Sequence, residues 1–545
     1  MKIRRLMFAS VLVLPLASAG ARASDGHLTG VPAANPKSTG VTLPTFLSPE
    51  LAQIVSAQGS TPVENPGAFV KYYGYLNDRP NLLPALGSNV EATKTEPDKN
   101  TYLVLHDLKG ADPDYDYGTH FLFQGHEAGS PGSITRINLD ADAAHRVTVL
   151  ANFESDGTTR LPTIDGSTWY PWAQRLLFSQ EGNGSTSGGI WQATLDYPAV
   201  VENLVGVFGR GGFEAIQADA DGNIWVVEDI GGSTVAGARL PNSFVYRFTP
   251  KNRFDLTQGG KLQALQVKSK ATGQPIVFQT ASALTQDIKD LHTYGNVFGT
   301  AWVTVHDTDA DGFAVFNANA LAKTKGATPF KRPENGQFRP GTSFREFYFD
   351  ETGDTSATST AIPDHGGFGS IMKLAQSSPS AASGTLTLFY KSDLEHAAFD
   401  NCAFWDSNHV VFVEDRGDGL HAQGNALDSG WLFDVRLDYS DPANTPVRIM
   451  AQGRDPSATI DSGLQGTPGF QNDGDNEITG IHVSDGDPSA HGLLGAKRPH
   501  PFRDGWRVFY TGQHGDNVTW EIVRAPRHGD GDDDDDHGHD DGDHR

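Results

Sequence analysis

Asp221-Gly-Asn-Ile-Trp-Val-Val-Glu228-Asp229 and Asp406-Ser-Asn-His-Val-Val-Phe-Val-Glu414-Asp415 are two copies of one phrase. Each opens in a polar turn, runs through apolar, β-branched or aromatic residues and stops at two adjacent carboxylates, which reads as a buried strand with an acidic lip. Arg175-Leu-Leu-Phe-Ser-Gln-Glu181 and Thr300-Ala-Trp-Val-Thr-Val-His306-Asp307 fit the same mould. If all four are the same strand of a repeated sheet, oxygen and imidazole ligands converge on one mouth, and such a mouth binds cations.

Working outward, three of the copies are followed by an alternating strand after a Gly-containing loop: Gly189-Ile-Trp-Gln-Ala, Phe244-Val-Tyr-Arg-Phe and Trp431-Leu-Phe-Asp-Val. An inner strand with an acidic end joined to an outer alternating strand, repeated about every 40 to 50 residues, is what a β-propeller needs. The spacing predicts an all-β propeller of about six blades, with peripheral insertions at Lys251–Thr280 and Gln376–Ser383. A double-sheet sandwich is the alternative, but it gives no reason for acids to recur on one type of strand.

The propeller is expected over residues 67–525. Residues 1–23 read as an export signal, with Lys2, Arg4 and Arg5 before an apolar run and Ala21-Arg22-Ala23 as the cleavage site. Arg4-Arg5 leaves open whether the general secretory or the twin-arginine route is used. Residues 24–66 read as an extended arm, and 526–545 as a disordered Asp/His/Gly tail. A periplasmic or secreted protein with no membrane span follows, since no other apolar run is long enough to cross a bilayer. With Cys402 as its one cysteine, the chain has no internal disulfide to stabilise it outside the cell.

The net charge of −25 includes nine Asp and one Arg between His528 and Arg545, hence −8 in the tail and −17 in the body. A surface of this sign repels nucleic acid and anionic lipid and attracts divalent cations. Asp307-Thr-Asp309-Ala-Asp311-Gly312 opens like a calcium loop, but Ala318 stands where an EF-hand needs a bidentate Glu. Asp219-Ala-Asp221-Gly222-Asn223 and Asp473-Gly-Asp475-Asn-Glu477 read equally as turns or metal sites. Arg332-Pro333-Glu334 could present a guanidinium and a carboxylate to one oxyanion. None of His106, His120, His126, His365, His482 and His514 stands out. Nucleophile-elbow, Walker, dinucleotide and Cys/His zinc signatures are missing from the sequence.

Taken together, Pro171-Trp172, Ser179-Gln180-Glu181-Gly-Asn183, Gly209-Arg-Gly-Gly-Phe-Glu214, Ile224-Trp-Val-Val-Glu228-Asp229, Arg332-Pro333-Glu334, Phe399-Asp400-Asn401 and Val413-Glu414-Asp415 resemble the PhoX-type bacterial alkaline phosphatases. These are secreted calcium- and iron-dependent β-propeller proteins. The resemblance implies a metal cluster in the propeller mouth, with Glu181, Glu214, Glu228, Asp229, Glu334, Glu414 and Asp415 as candidate ligands and Arg332 and Glu334 as candidate catalytic residues. The family places an iron-ligating cysteine just before its Glu pair, whereas this chain has Phe178-Ser179-Gln180-Glu181. Loss of that soft ligand points to a calcium-dominated relative, with iron in doubt.

The expected function is a secreted metal-dependent phosphomonoesterase, a monomer acting on a small phosphorylated substrate. Two alternatives stand beside it: a calcium-stabilised binding propeller without turnover, and a calcium-dependent lactonase-like hydrolase.

Overall fold

The computed structural model describes residues 28–31, 45–79, 82, 92–354, 362–415, 427–453, 477–513 and 517–526. The export signal, most of the stretch 24–44, His514, Asp473, Asp475 and the tail from 527 onward lie outside the described residues.

Six antiparallel meanders, each of four strands, make up the body. Blade 1 runs through Pro97–Val104, His120–His126, Ile134–Asn138 and Val147–Ala151, and blade 2 through Ser167–Tyr170, Arg175–Gln180, Gly189–Ala193 and Val201–Asn203. Blade 3 holds Phe213–Ala218, Ile224–Glu228, Val245–Pro250 and Gly260–Val267, and blade 4 holds Gly336–Phe338, Glu346–Glu351, Ser370–Gln376 and Ser383–Lys391. Blade 5 holds Phe399–Phe404, His409–Glu414, Leu427–Asp434 and Val447–Gly453. Blade 6 takes Glu477–Ser484, Arg507–Gln513 and Val518–Arg524, and its outer strand, Leu51–Ala57, comes from the N-terminal part of the chain. The first-named strands of successive blades neighbour one another, and that of blade 6 returns to that of blade 1. The ring is closed, and the chain is a six-bladed all-β propeller.

Closure explains why the second strands are buried on both faces. Ile224–Glu228 is buried along its whole length, because each blade is covered on both faces by its neighbours. Trp225 fills one such seam, with Trp302, Phe338 and Phe347 each at 5.1 Å between ring centroids.

Three expectations change. The acid-ended phrases are the second strands of their blades, with a less conspicuous innermost strand before each. Thr300–Asp307 is no member of that series: it belongs to Val297–Asp307, a long strand that pairs with the outer strands of both blade 3 and blade 4 and welds them into one nine-stranded sheet. Asp307 therefore sits at the periphery. The segment read as an arm also adds Thr45–Leu47 to the edge of blade 5.

Two of the three Asp-rich segments resolve as local caps and turns; Asp473 and Asp475 of the third lie outside the described residues. Asp219 accepts from the backbone N–H of Asp221 and Asn223 and from Trp225 Nε1, closing the blade 3 hairpin. Asp307 caps the short helix Thr308–Asp311, whose Asp309 pairs with Lys251.

Candidate metal centre

In an antiparallel meander the start of the first strand and the end of the second lie at the same end of the blade. All six blades bring both to one mouth; the first position is acidic in all six and the second in four. Starts of first strands supply Asp98, Asp165, Glu214, Glu334, Asp400 and Glu477; ends of second strands supply Glu127, Glu181, Asp229 and Asp415.

A shared irregularity aims the first set. Pairing shifts by one residue between Pro97 and Asn100, between Phe213 and Ile216, between Phe399 and Cys402, and between Glu477 and Gly480. In each case three steps on the first strand match two on its partner, which is a β-bulge repeated in four blades. A bulge bends its strand and redirects the extra side chain. Asp98, Glu214 and Asp400 occupy the same place in it, so the same local distortion turns each toward the mouth.

Alternation of side chains decides the second set. Glu228 faces Phe213 across the ladder and Glu414 faces Phe399, so the residues after them, Asp229 and Asp415, point the other way. Glu228 is turned into its own blade, where Phe244 N donates to it at 3.1 Å, Tyr246 Oη at 3.1 Å and Asn319 Nδ2 at 2.9 Å. Glu414 accepts from Ala397 N, Ser429 N and Trp431 Nε1 in the same manner. Gln180 does the equivalent job in blade 2, accepting from Gly188 N at 3.1 Å. The first residue of each pair is thus a clip to the third strand, and the second belongs to the mouth. Of the residues expected as ligands, Glu228 and Glu414 stay outside the centre, while Glu181, Glu214, Asp229, Glu334 and Asp415 are gathered at it. Replacing Glu228 with Ala leaves three buried donors without an acceptor and should cost about 1–3 kcal/mol of stability. Chemical denaturation would measure this, and activity per folded molecule should stay near wild type.

One carboxylate oxygen from each of Glu127, Asp165, Glu181 and Glu214 lies within 4.8 Å of all the others, and Glu214, Glu334 and Asp400 form a second such group. Oxygens on opposite sides of one calcium ion are separated by about 5 Å, twice a bond of about 2.3–2.6 Å. Glu214 is common to both groups. Asp165 Oδ2 and Asp400 Oδ2 are buried and accept no hydrogen bond among the described residues, the state of an oxygen shaped for an ion.

The electrostatics agree. Burial, with Asp98 and Asp229 adding repulsion, pushes the Glu214 carboxyl up to about 8. Burial followed by repulsion from Glu214, Asp98 and Glu127 holds Asp165 well above the carboxylate range, and burial with Glu334, Glu477 and Glu214 does the same to Asp400. Without a counter-charge these groups keep their protons; a cation would displace them.

Arg332 stands at the edge of this set. Its Nε donates to both oxygens of Asp229, at 2.9 and 3.0 Å, its Nη2 to Oδ2 at 2.7 Å, and Nη2 lies 3.1 Å from Glu334 Oε1. Burial alone would loosen its proton, but Asp229, Glu334 and Asp415 hold it more firmly than usual. Its backbone is left-handed, with φ +58°, a strained conformation kept by the bond from Thr352 N to its carbonyl. Its Nη1 makes no hydrogen bond among the described residues.

Residues 237–430 match the family model of alkaline phosphatase PhoX. That stretch, about a third of the chain, is similar to alkaline phosphatase PhoX. The matched stretch runs from blade 3 into blade 5 and carries Arg332, Glu334, Asp400 and Asp415. No curated protein matches the chain. Solved structures similar to it include a glucose dehydrogenase at 10% identity, covering 69% of this chain and 99% of that one with a TM-score of 0.27. A Trichoderma reesei carbohydrate-active enzyme of family AA12, at 10% identity, covers 90% and 100% with 0.28. Kuenenia stuttgartiensis hydrazine synthase, also at 10%, covers 81% and 99% with 0.30.

In this mouth the donor set of both groups is carboxylate oxygen only, which suits hard divalent cations. A thiolate is not offered at position 179, where Ser179 Oγ donates to the backbone carbonyls of Gly166 and Glu214. Cys402 lies in the first strand of blade 5, its Sγ 3.9 Å from Asn335 Oδ1, and joins neither group. Asp98, Glu127 and Asp165 escaped the sequence reading as ligands, Asp400 entered it only inside a motif, and Glu477 only in a segment that read equally as a turn or a metal site. Glu127 carried a usable signal, following the strand His120–His126 as Glu181 follows Arg175–Gln180.

Proposed function

We propose that this chain is an exported, metal-dependent phosphomonoesterase that works in the acidic mouth. The observation that supports this best is the open edge of Arg332 among buried carboxylates, within the stretch that matches alkaline phosphatase PhoX.

Glu127, Asp165, Glu181 and Glu214 would hold one cation, and Glu214, Glu334 and Asp400 another, with calcium suited to the donors. Bound cations would cancel phosphate charge and stabilise the charge that builds on its oxygens. Arg332 presents Nη1 to a phosphoryl oxygen while Nε and Nη2 remain on Asp229, so the guanidinium plane is set before substrate arrives. Glu334 Oε1 braces the same guanidinium at Nη2, and its own backbone N–H is fixed on Asp350 Oδ1 at 3.2 Å. The acids around them repel a free phosphate ester until the local sign is reversed, which couples substrate binding to cation loading.

The serine at 179 favours a second reading, a calcium-only propeller whose turnover is lost or directed at another ester such as a lactone. Full-length protein purified from its native compartment separates the two. Calcium by elemental analysis, hydrolysis of a chromogenic phosphomonoester at alkaline pH and loss of that hydrolysis in Arg332→Ala support the phosphatase. Bound calcium without phosphoester turnover in any divalent metal, or turnover confined to lactones, overturns it.

A further inference from the structure

The far face of the ring, away from the mouth, carries a cavity of about 670 Å³ between blades 5 and 6, a size that suits a small molecule. In a meander the hairpin joining the first and second strands lies at the end opposite the acid-bearing one. Asp406 and Ser407 form that hairpin in blade 5, between Phe399–Phe404 and His409–Glu414, and residues 498–503 belong to the same connection in blade 6, between Glu477–Ser484 and Arg507–Gln513. Arg339, from the corresponding hairpin of blade 4, fixes the blade 5 turn: its Nε donates to Ser407 O at 2.9 Å and its Nη2 to Asn408 Oδ1 at 3.2 Å.

The two walls of the cavity differ in character. Leu437, Tyr439 and Val447 line it from blade 5, and Leu437 and Val447 are exposed. Arg498, His500 and Arg503 line it from blade 6. Two carboxylates are present as well, and both are engaged by donors of blade 5. Asp406 Oδ1 accepts from the N–H of Asn408 at 2.6 Å and of His409 at 2.9 Å, and its Oδ2 lies 2.8 Å from His409 Nδ1. Asp434 Oδ1 accepts from Arg436 N and Nε, and its Oδ2 from Arg436 Nη2 at 2.6 Å. The side chains of Arg498 and His500, by contrast, make no hydrogen bond or ion pair among the described residues. Blade 4 leaves room for the guanidinium: Gly341 sits in a left-handed turn at φ +81°, and a Cβ there would stand 3.2 Å from Arg498 Nε. In a chain of net charge −25 such a basic wall is the exception, and a guanidinium with open donors suits a carboxylate or phosphate-like head.

We infer that this cavity is a second binding site, for a small anion that carries an apolar body, with the anionic head on Arg498 and His500 and the body against Leu437 and Val447. The site shares no residue with the mouth, so it stands or falls independently of phosphoester hydrolysis there.

Phenylphosphonate is the probe, because its carbon–phosphorus bond resists hydrolysis, and chelator is present throughout, so that no cation draws it to the mouth. Calorimetric titration of the full-length protein should show one site, with inorganic phosphate roughly tenfold weaker or more because it buries no ring. Arg498→Gln should weaken phenylphosphonate roughly tenfold by removing a charge-assisted contact. Leu437→Glu should weaken it at least as much by setting a like charge on the apolar wall. Both positions are exposed, so neither change threatens the fold. Arg332→Ala, at the other end of the ring, should leave the affinity within about twofold. Absence of binding to the wild type, indifference to both cavity substitutions, or loss in Arg332→Ala overturns the inference. Inorganic phosphate binding as tightly as phenylphosphonate leaves no role for the apolar wall and also overturns it. So does binding that appears only after removal of residues 527–545, which would make the chain's own Asp-rich tail the occupant.

Discussion

Glu214→Gln in the full-length protein should lose phosphomonoesterase activity by several kcal/mol of transition-state stabilisation, on the order of a thousandfold in kcat/KM. Glu214 is the one carboxylate common to both oxygen groups, so its loss weakens two cation positions at once. The same substitution should raise the melting temperature of the metal-free protein at alkaline pH. Its carboxyl, pushed up to about 8 by burial first, must ionise there in an apolar setting, and Gln carries no charge to bury. Activity falling while metal-free stability rises is a signature that ordinary misfolding cannot give. Activity near wild type would remove Glu214 from the centre.

Removal of divalent cations from the wild-type protein should abolish activity and make stability steeply pH-dependent. The sign follows from linkage. In the native state Glu214 keeps its proton up to about 8, whereas in the unfolded chain it releases it near 4.5. Between those values the unfolded state binds fewer protons, so the metal-free native state loses stability as pH rises through that window. Asp165 and Asp400, raised for the same reason of burial among like charges, add to the slope. Calcium reverses it, since the ion binds the deprotonated native site and stabilises by mass action. Melting curves in chelator and in calcium across this range should diverge with increasing pH. Parallel curves would mean that the mouth holds no cation.

Much of this architecture was written in short stretches. The period-two runs, the polar hairpin turns at Asp219 and Asp406, and the acid lips are local features, and each marks one blade. The Glu-Asp pairs nonetheless misled in one respect. Both acids looked equivalent along the chain, and only the ladder register assigns Glu228 and Glu414 to hydrogen-bonding clips and Asp229 and Asp415 to the mouth. Thr300–Asp307 misled for the opposite reason. Its composition copied the phrase, but its partners are two outer strands. Asp98, Asp165 and Asp400 were hard to find because the innermost strands are short or irregular and their acids follow no period; a bulge aims Asp98 and Asp400, and a bulge has no composition of its own.

The sequence by itself determined that the chain builds many half-buried strands ending in carboxylates, because side-chain alternation and turn chemistry act over a few residues. Which carboxylates share a cation was decided only by closure of the ring. Closure brings together residues hundreds of positions apart, and it is fixed by packing between whole blades rather than by any preference of the residues themselves.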